Sequence, residues 1–223
     1  MNHPLPGEIR QQLKNSQSFD TWREHYASEL SYGRHRGPAP ESAQRASVMI
    51  LLYPNRATNS ESVVDSWQLP LTLRPPGLQV HGGQISLPGG AVEGKETSRQ
   101  AALRELEEEL GVATCDVEWL GQLAPIYVFA SNYLVTPHVG TVANPPQWRP
   151  QQAEVAEVLE LPIAHLIDPS NTDFPLRTRQ GISFRSPCIT LGNHEIWGAT
   201  SMILGEFIGV VRKAAGLSLV LPE

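Results

Sequence analysis

The chain has 223 residues, enough for one sizeable hydrophobic core or for a domain with an added arm. Apolar residues make up 40% and charged residues 18%, the balance of a globular chain rather than a disordered one. A formal net charge of -6 argues against a general nucleic-acid binder, which needs a basic footprint. No run approaches the roughly 20 apolar residues that span a bilayer, so neither nucleic acid nor membrane is an expected partner.

Cys115 and Cys188 lie far apart and in no CxxC or Cys/His pattern, which predicts reduced structural thiols. The N-terminal stretch MNHPLPGEIRQQLK is polar and lacks an apolar segment, so no secretory signal is expected and a cytoplasmic location is.

In chain order, residues 5–30 read as a helical arm, and the Gly- and Pro-rich stretch after Gly33 as a linker. The short apolar run 46–54 reads as a buried strand, followed by a second strand at 66–74 in which Pro70 marks an edge or an irregularity. A strand over 84–92 enters a Gly-Gly turn. The clearest helix spans 98–110, with Thr97 and Gln100 as a capping box and Gly111 as its stop. Strands follow at 117–123, 125–130 and 133–142, then a loop at 144–151, then strands near 154–160 and 182–190. A helix at 199–214 carries Met202, Ile203, Phe207, Ile208 and Val211 on a stripe that faces the core, the alternative being an interaction face. The division expected is an arm and linker at 1–44, a catalytic-type domain at 45–215 and a tail at 216–223. The mixture of elements predicts an α/β sandwich with helices covering a mixed β-sheet.

The helix at 98–110 is electrostatically unusual. Leu103, Leu106 and Leu110 share one face, while Glu105, Glu108 and Glu109 share another, within an arc of roughly 100°. Like charges at these spacings oppose one another, and they lie in the last turns, where the helix dipole favours cations. Arg104 reaches Glu108 at i+4 but cannot neutralise all the glutamates. A bare run of glutamates is usually a solvated surface. Here a Gly-Gly turn precedes it, where backbone can approach a ligand closely, and the leucine stripe would fix the carboxylates in place. Hard divalent cations, Mg²⁺ or Mn²⁺, match such oxygen donors.

The segment GAVEGKETSRQAALRELEEELGV, from Gly90 to Val112, resembles the Nudix box, G-x5-E-x7-R-E-U-x-E-E-x-G-U with U a bulky aliphatic. Gly90, Glu96, Arg104, Glu105, Leu106, Glu108, Glu109, Gly111 and Val112 fill every specified position. The resemblance implies an α/β/α sandwich and metal-dependent hydrolysis of a nucleoside diphosphate linked to another moiety, a small nucleotide-derived substrate. It implies Glu105 and Glu109 as the main metal ligands, with Glu108 a further ligand or catalytic carboxylate. Arg104 would orient the glutamates, Glu96 would position the loop, and the backbone of Gly90 would approach the metal. Many such enzymes recruit a downstream carboxylate as base or extra ligand. Glu154 is the candidate here, the alternative being a surface acid at the start of a strand. The wider family often dimerises, so a homodimer is a candidate assembly.

A second stretch, LTLRPPGLQVHGGQISLPGG at 71–90, resembles the signature upstream of the box in coenzyme A pyrophosphatases. Leu71, Thr72, Arg74, Leu78, His81, Gly83, Gln84, Pro88, Gly89 and Gly90 match it. Arg74, His81 and Gln84 are the substrate-binding candidates it implies. Gln79 stands where that subfamily has Arg, and Leu87 where it has Phe. The resemblance implies hydrolysis of coenzyme A or its thioesters to adenosine 3′,5′-bisphosphate and 4′-phosphopantetheine or its acyl form. Gln79 keeps ADP-ribose, a dinucleotide or a dinucleoside polyphosphate open as the substrate. A non-catalytic nucleotide-binding module would have no need of the intact carboxylates. His138 reads as structural.

Overall fold

A computed structural model describes residues 4–15, 19–31, 38–56, 62–77, 82–179 and 181–221. The elements run α1 (Leu5–Lys14), α2 (Asp20–His25), β1 (Gln44–Pro54), β2 (Trp67–Leu73), β3 (Ile85–Ser86), β4 (Gly89–Ala91), α3 (Ser98–Leu110), β5 (Glu118–Gln122), β6 (Ile126–Val128), β7 (Tyr133–Thr141), β8 (Glu157–Pro162), α4 (Ile163–Ile167), β9 (Thr172–Asp173), β10 (Leu176–Arg179), β11 (Ile182–Arg185), β12 (Cys188–Leu191), β13 (His194–Trp197) and α5 (Ala199–Ala214).

The main sheet is mixed. β1 pairs in parallel with β7 and antiparallel with β4 and the start of β2, while β2 also pairs with β3 and β8. Its apolar run is buried on both sides, and successive residues serve two cores because strand side chains alternate. Met49, Leu51 and Tyr53 meet Ala102, Leu106 and Leu110 of α3. Ile50 and Leu52, with Leu69 and Leu71 of β2, meet Phe207, Ile208 and Val211 of α5. Helices therefore cover both faces, the expected sandwich. Pro70 lies opposite Glu160 of β8, in the gap between the two places where the other edge of β2 is paired, so its missing N–H disrupts no bond there.

Several elements differ from the sequence reading. The strand expected over 84–92 is two short strands, because the chain leaves β2 at Leu87 and Pro88 and crosses to pair with β1. The strand at 182–190 is likewise split, β11 pairing with β10 and β12 with β13 and β9. β8 begins at Glu157, after a turn in which the N–H groups of Glu154 and Val155 both donate to the Gln151 carbonyl. Glu154 is thus on a turn and not at a strand start.

α5 is buried on all sides from Ser201 to Val211, so it is no amphipathic surface helix. Its outer side is closed by the N-terminal segment: Leu5, Ile9, Phe19, Trp22 and Tyr26 belong to the same core cluster. Gly205 and Gly209 make this possible, since a Cβ at either would strike Trp22, Tyr26 or Phe19. Beneath this contact Arg23 Nε donates to Glu206 Oε2 at 2.9 Å, and a second Arg23 nitrogen donates to the Ala124 carbonyl at 3.1 Å. Both cysteines are free thiols, Cys188 buried and Cys115 exposed. Among the described residues no helix is long and apolar enough to cross a membrane.

Candidate active site

The site is built on α3. Thr97 caps it, with Gln100 reciprocating, and Gly111 ends it in the left-handed conformation at φ 73°. Burial of Leu106 and Leu110 fixes the helix rotation, which turns Glu105 and Glu109 toward the β4 turn; Leu103 is only partly covered. Glu109 is 3% exposed. Its Oε2 accepts a hydrogen bond from the Gly89 N–H at 3.3 Å. Among the described residues no lysine or arginine forms an ion pair with it. Burial, and secondarily the charge of Glu105, push its pKa up to about 8, against the pull of the Gly89 N–H and the more distant Arg74. Burial also raises Glu105, opposed by the hydrogen bond from Arg104.

Glu105, Glu109 and Glu154 converge: each offers a carboxylate oxygen, and the three oxygens lie within 4.8 Å of one another. Glu154 arrives from the turn before β8 and is exposed, whereas the other two are covered. A carboxylate trio with one buried member that lacks an ion-pair partner among the described residues is an unfavourable arrangement by itself and suits a hard divalent cation, which would replace the proton that Glu109 otherwise retains.

Arg104 is the hub of a second layer. Its guanidinium donates to both oxygens of Glu96 at 3.2 and 2.9 Å, to Glu105 Oε1 at 2.9 Å, to Glu108 Oε2 at 2.9 Å and to the Ala91 carbonyl at 3.1 Å. These bonds, with that to Glu96 foremost, hold Arg104 firmly protonated, and the same bond lowers Glu96. Glu96 in turn accepts the Glu93 N–H at 2.8 Å, which pins the loop between β4 and α3. Glu108 is outside the trio and exposed, on the Arg104 side.

Gly90 lies against the Glu105 carboxylate so closely that a Cβ there would overlap it. Arg74 follows β2 and lies close enough for its charge to act on Glu109; its Nε is buried with no hydrogen-bond partner among the described residues. Gln84 faces it across the hairpin, its carbonyl accepting the Arg74 N–H at 3.0 Å. His81, Leu78 and Gln79 lie outside the described residues. His138 is buried under the start of α3: its Nδ1 accepts from Trp119 at 3.2 Å and its Nε2 meets Ser98 Oγ at 3.1 Å. Burial lowers its pKa to about 4, so it is a neutral core residue. A hollow of about 430 Å³ beside the C-terminal end of α3 is lined by Gly111, Asp116, Asn144, Gln147, Arg149 and their neighbours, and none of the three carboxylates lines it.

Missed from sequence were the Gly89 N–H and the Ala91 carbonyl. Both are backbone groups; the Gly-Gly pair signalled a close backbone approach but not which group would serve which side chain.

Fold and site together define an α/β sandwich protein with clustered carboxylates that suit a hard divalent cation. Comparison with known proteins specifies it further. A family model of the NUDIX domain matches residues 44–176. An uncharacterized Nudix hydrolase, NudL, of Photorhabdus laumondii is 37% identical over 143 residues, covering 64% of this chain and 76% of its own. The protein of the same name from Salmonella paratyphi B is 36% identical over 138 residues, covering 61% and 71%. Among solved structures, a MutT/nudix family protein from Enterococcus faecalis aligns over 88% of this chain and 78% of its own, with a TM-score of 0.47 and 19% identity. The chain belongs to the Nudix family, and it is a pyrophosphohydrolase of that family.

Proposed function

We propose that this pyrophosphohydrolase uses Mg²⁺ or Mn²⁺ to cleave the diphosphate bridge of coenzyme A or its thioesters, releasing adenosine 3′,5′-bisphosphate and 4′-phosphopantetheine or its acyl form. The observation that carries the hydrolytic part is the convergence of Glu105, Glu109 and Glu154, with Glu109 buried and without a cationic partner among the described residues. In this reading Glu105 and Glu109 hold the metal, the Gly90 backbone approaches it, and Arg104 keeps Glu105 and Glu108 aimed. A bound divalent cation supplies positive charge to the phosphoryl oxygens and acidifies water.

Water attacks one phosphorus of the bridge, a bridging P–O bond breaks, and Glu154 or Glu108 takes the proton that the water sheds. Arg74, Gln84 and His81 are the side chains that would meet the phosphate oxygens. Support for coenzyme A comes from the 71–90 stretch in which Arg74, Gly83 and Gln84 stand. Gln79, where the coenzyme A signature has Arg, favours keeping ADP-ribose or a dinucleotide as a second reading.

Product analysis tests this. Purified protein is incubated with coenzyme A, ADP-ribose, NADH and a diadenosine polyphosphate in Mn²⁺ and in Mg²⁺, with Glu108→Gln and Glu109→Gln as controls. Preferred release of adenosine 3′,5′-bisphosphate, lost in the variants, is the expected result. Turnover confined to another substrate overturns the coenzyme A reading and leaves the chemistry intact.

A further inference from the structure

Glu154 is not on α3, yet its carboxylate meets two from α3, so something must hold its turn in place. The preceding segment, 144–151, carries Pro145, Pro146 and Pro150, which remove backbone freedom and let a few anchors fix the whole path. Its anchors fall on the end of α3. The Arg149 N–H donates to the Leu110 carbonyl at 3.0 Å, and the Gln151 N–H donates to the carbonyl of Glu109 itself at 3.0 Å. These carbonyls are among the orphan acceptors of a helix C-terminus, so the segment completes the helix as well as docking on it. Gly111 permits the approach, since a Cβ there would press on the Arg149 side chain at 2.7 Å.

The third anchor is a side chain. Trp148 Nε1–H donates to Glu160 Oε1 at 3.1 Å, the same oxygen that receives the Tyr53 hydroxyl at 2.8 Å, and the Trp148 and Tyr53 rings meet edge-on with centroids 5.2 Å apart. Tyr53 belongs to β1 and Glu160 to β8, so Trp148 ties the segment to the sheet, as Arg149 and Gln151 tie it to the helix. From Gln151 the turn runs directly to Glu154, whose N–H donates back to the Gln151 carbonyl at 2.9 Å.

We infer that Trp148 is a positioning residue for the metal-binding carboxylates, acting through the docked 144–151 segment to hold Glu154 against Glu105 and Glu109. This rests on the reading of Glu154 as the extra metal ligand of that site, with Glu108 then the proton acceptor. The test uses the full chain and Mn²⁺ as the probe. Half-saturating Mn²⁺ is read from the metal-induced rise in Tm, beside kcat, KM and the Tm without metal. Trp148→Ala is expected to raise half-saturating Mn²⁺ and lower kcat by about tenfold, with KM changed by less than about twofold, as for other residues that orient a metal's ligands. Trp148→Phe keeps the ring and loses the N–H, and should fall between Trp148→Ala and the wild type. Glu160→Gln keeps an acceptor oxygen and should keep wild-type values, whereas Glu160→Ala should match Trp148→Phe.

If Trp148→Ala and Trp148→Phe lower only the metal-free Tm, Trp148 is a packing residue and the inference is overturned. A parallel Glu154→Gln variant separates the two levels. Impaired Mn²⁺ binding in Glu154→Gln with unimpaired Trp148 variants overturns this inference alone. Wild-type Mn²⁺ binding in Glu154→Gln overturns Glu154 as a metal ligand, and the inference with it.

Discussion

Replacing Glu109 by Gln should make the metal-free protein more stable while destroying its response to metal. Glu109 is 3% exposed, and its carboxyl is pushed from 4.5 to about 8. The unfolded chain releases this proton above about pH 4.5, whereas the metal-free folded protein retains it until about pH 8. The stability contributed by the raised group is therefore fully present below pH 4.5 and is lost as pH rises through 8. At about 1.4 kcal/mol per pH unit, the full cost at pH 8 is about 5 kcal/mol. Relaxation of the side chains and water reaching the exposed Glu154 side of the trio reduce this to about 2 kcal/mol. Gln keeps the shape and an acceptor for the Gly89 N–H but never ionises, so it escapes the cost. For a chain of this size the Tm at pH 8 in EDTA should rise by about 4–8 °C. At pH 5 the gain should nearly vanish. Adding Mn²⁺ should raise the wild-type Tm and leave Glu109→Gln unmoved. Equal or lower stability of the variant at pH 8 without metal, beside a wild type that responds to Mn²⁺, would refute the reasoning.

Four further outcomes follow from the same structure. The metal-free wild type should lose stability steadily between pH 5 and pH 8 and recover it when Mn²⁺ displaces the Glu109 proton, measurable as proton release on titrating metal into weakly buffered protein. Arg104→Lys cannot reproduce a fork reaching Glu96, Glu105 and Glu108, so kcat should fall by roughly 10–100-fold with only a small change in Tm. Gly90→Ala drives a methyl into the Glu105 carboxylate; a loss of about 1–3 kcal/mol in denaturant unfolding and a weakened Mn²⁺ response are expected. Arg23→Ala leaves Glu206 buried without its partner, which should cost about 3–5 kcal/mol of stability by the same measurement without altering KM.

Local signals and tertiary outcomes separate cleanly in this chain. α3 was legible to the residue because three independent local features agree on it: the Thr97–Gln100 box, the leucine spacing and the Gly111 stop. β1 was legible as a short apolar run, and β7 falls within the strand expected at 133–142. α4, β9, β10 and β13 were not, since they are short, and their pairing is decided by what lies beside them in space. In the site, the i+4 reach of Arg104 to Glu108 could be read from spacing. Its grip on Glu96 could not, because it depends on how the loop after β4 folds back. Glu154 could be suspected but not placed, for nothing in its neighbourhood records that the segment before it is bonded to Glu109. The stripe on α5 faces the core as expected but gave only part of the helix's burial. Five apolar residues mark one face, but Gly205 and Gly209 on the same helix were the sign that a second partner closes the remainder.

That closure bears on how the molecule reaches its native state. The helices that cover α5 precede the sheet in sequence, while α5 follows it, and Arg23 finds Glu206 across 183 positions. Contacts of such separation pay loop-closure entropy before they return any stabilisation, which places them late in folding. Until they form, the sheet and α3 can already be assembled while the apolar face of α5 stays open to any other chain that meets it. A chaperone or a second nascent copy would compete for that face during synthesis. The step that completes this fold is therefore the docking of α1 and α2 on α5, and folding yield should fall as protein concentration rises.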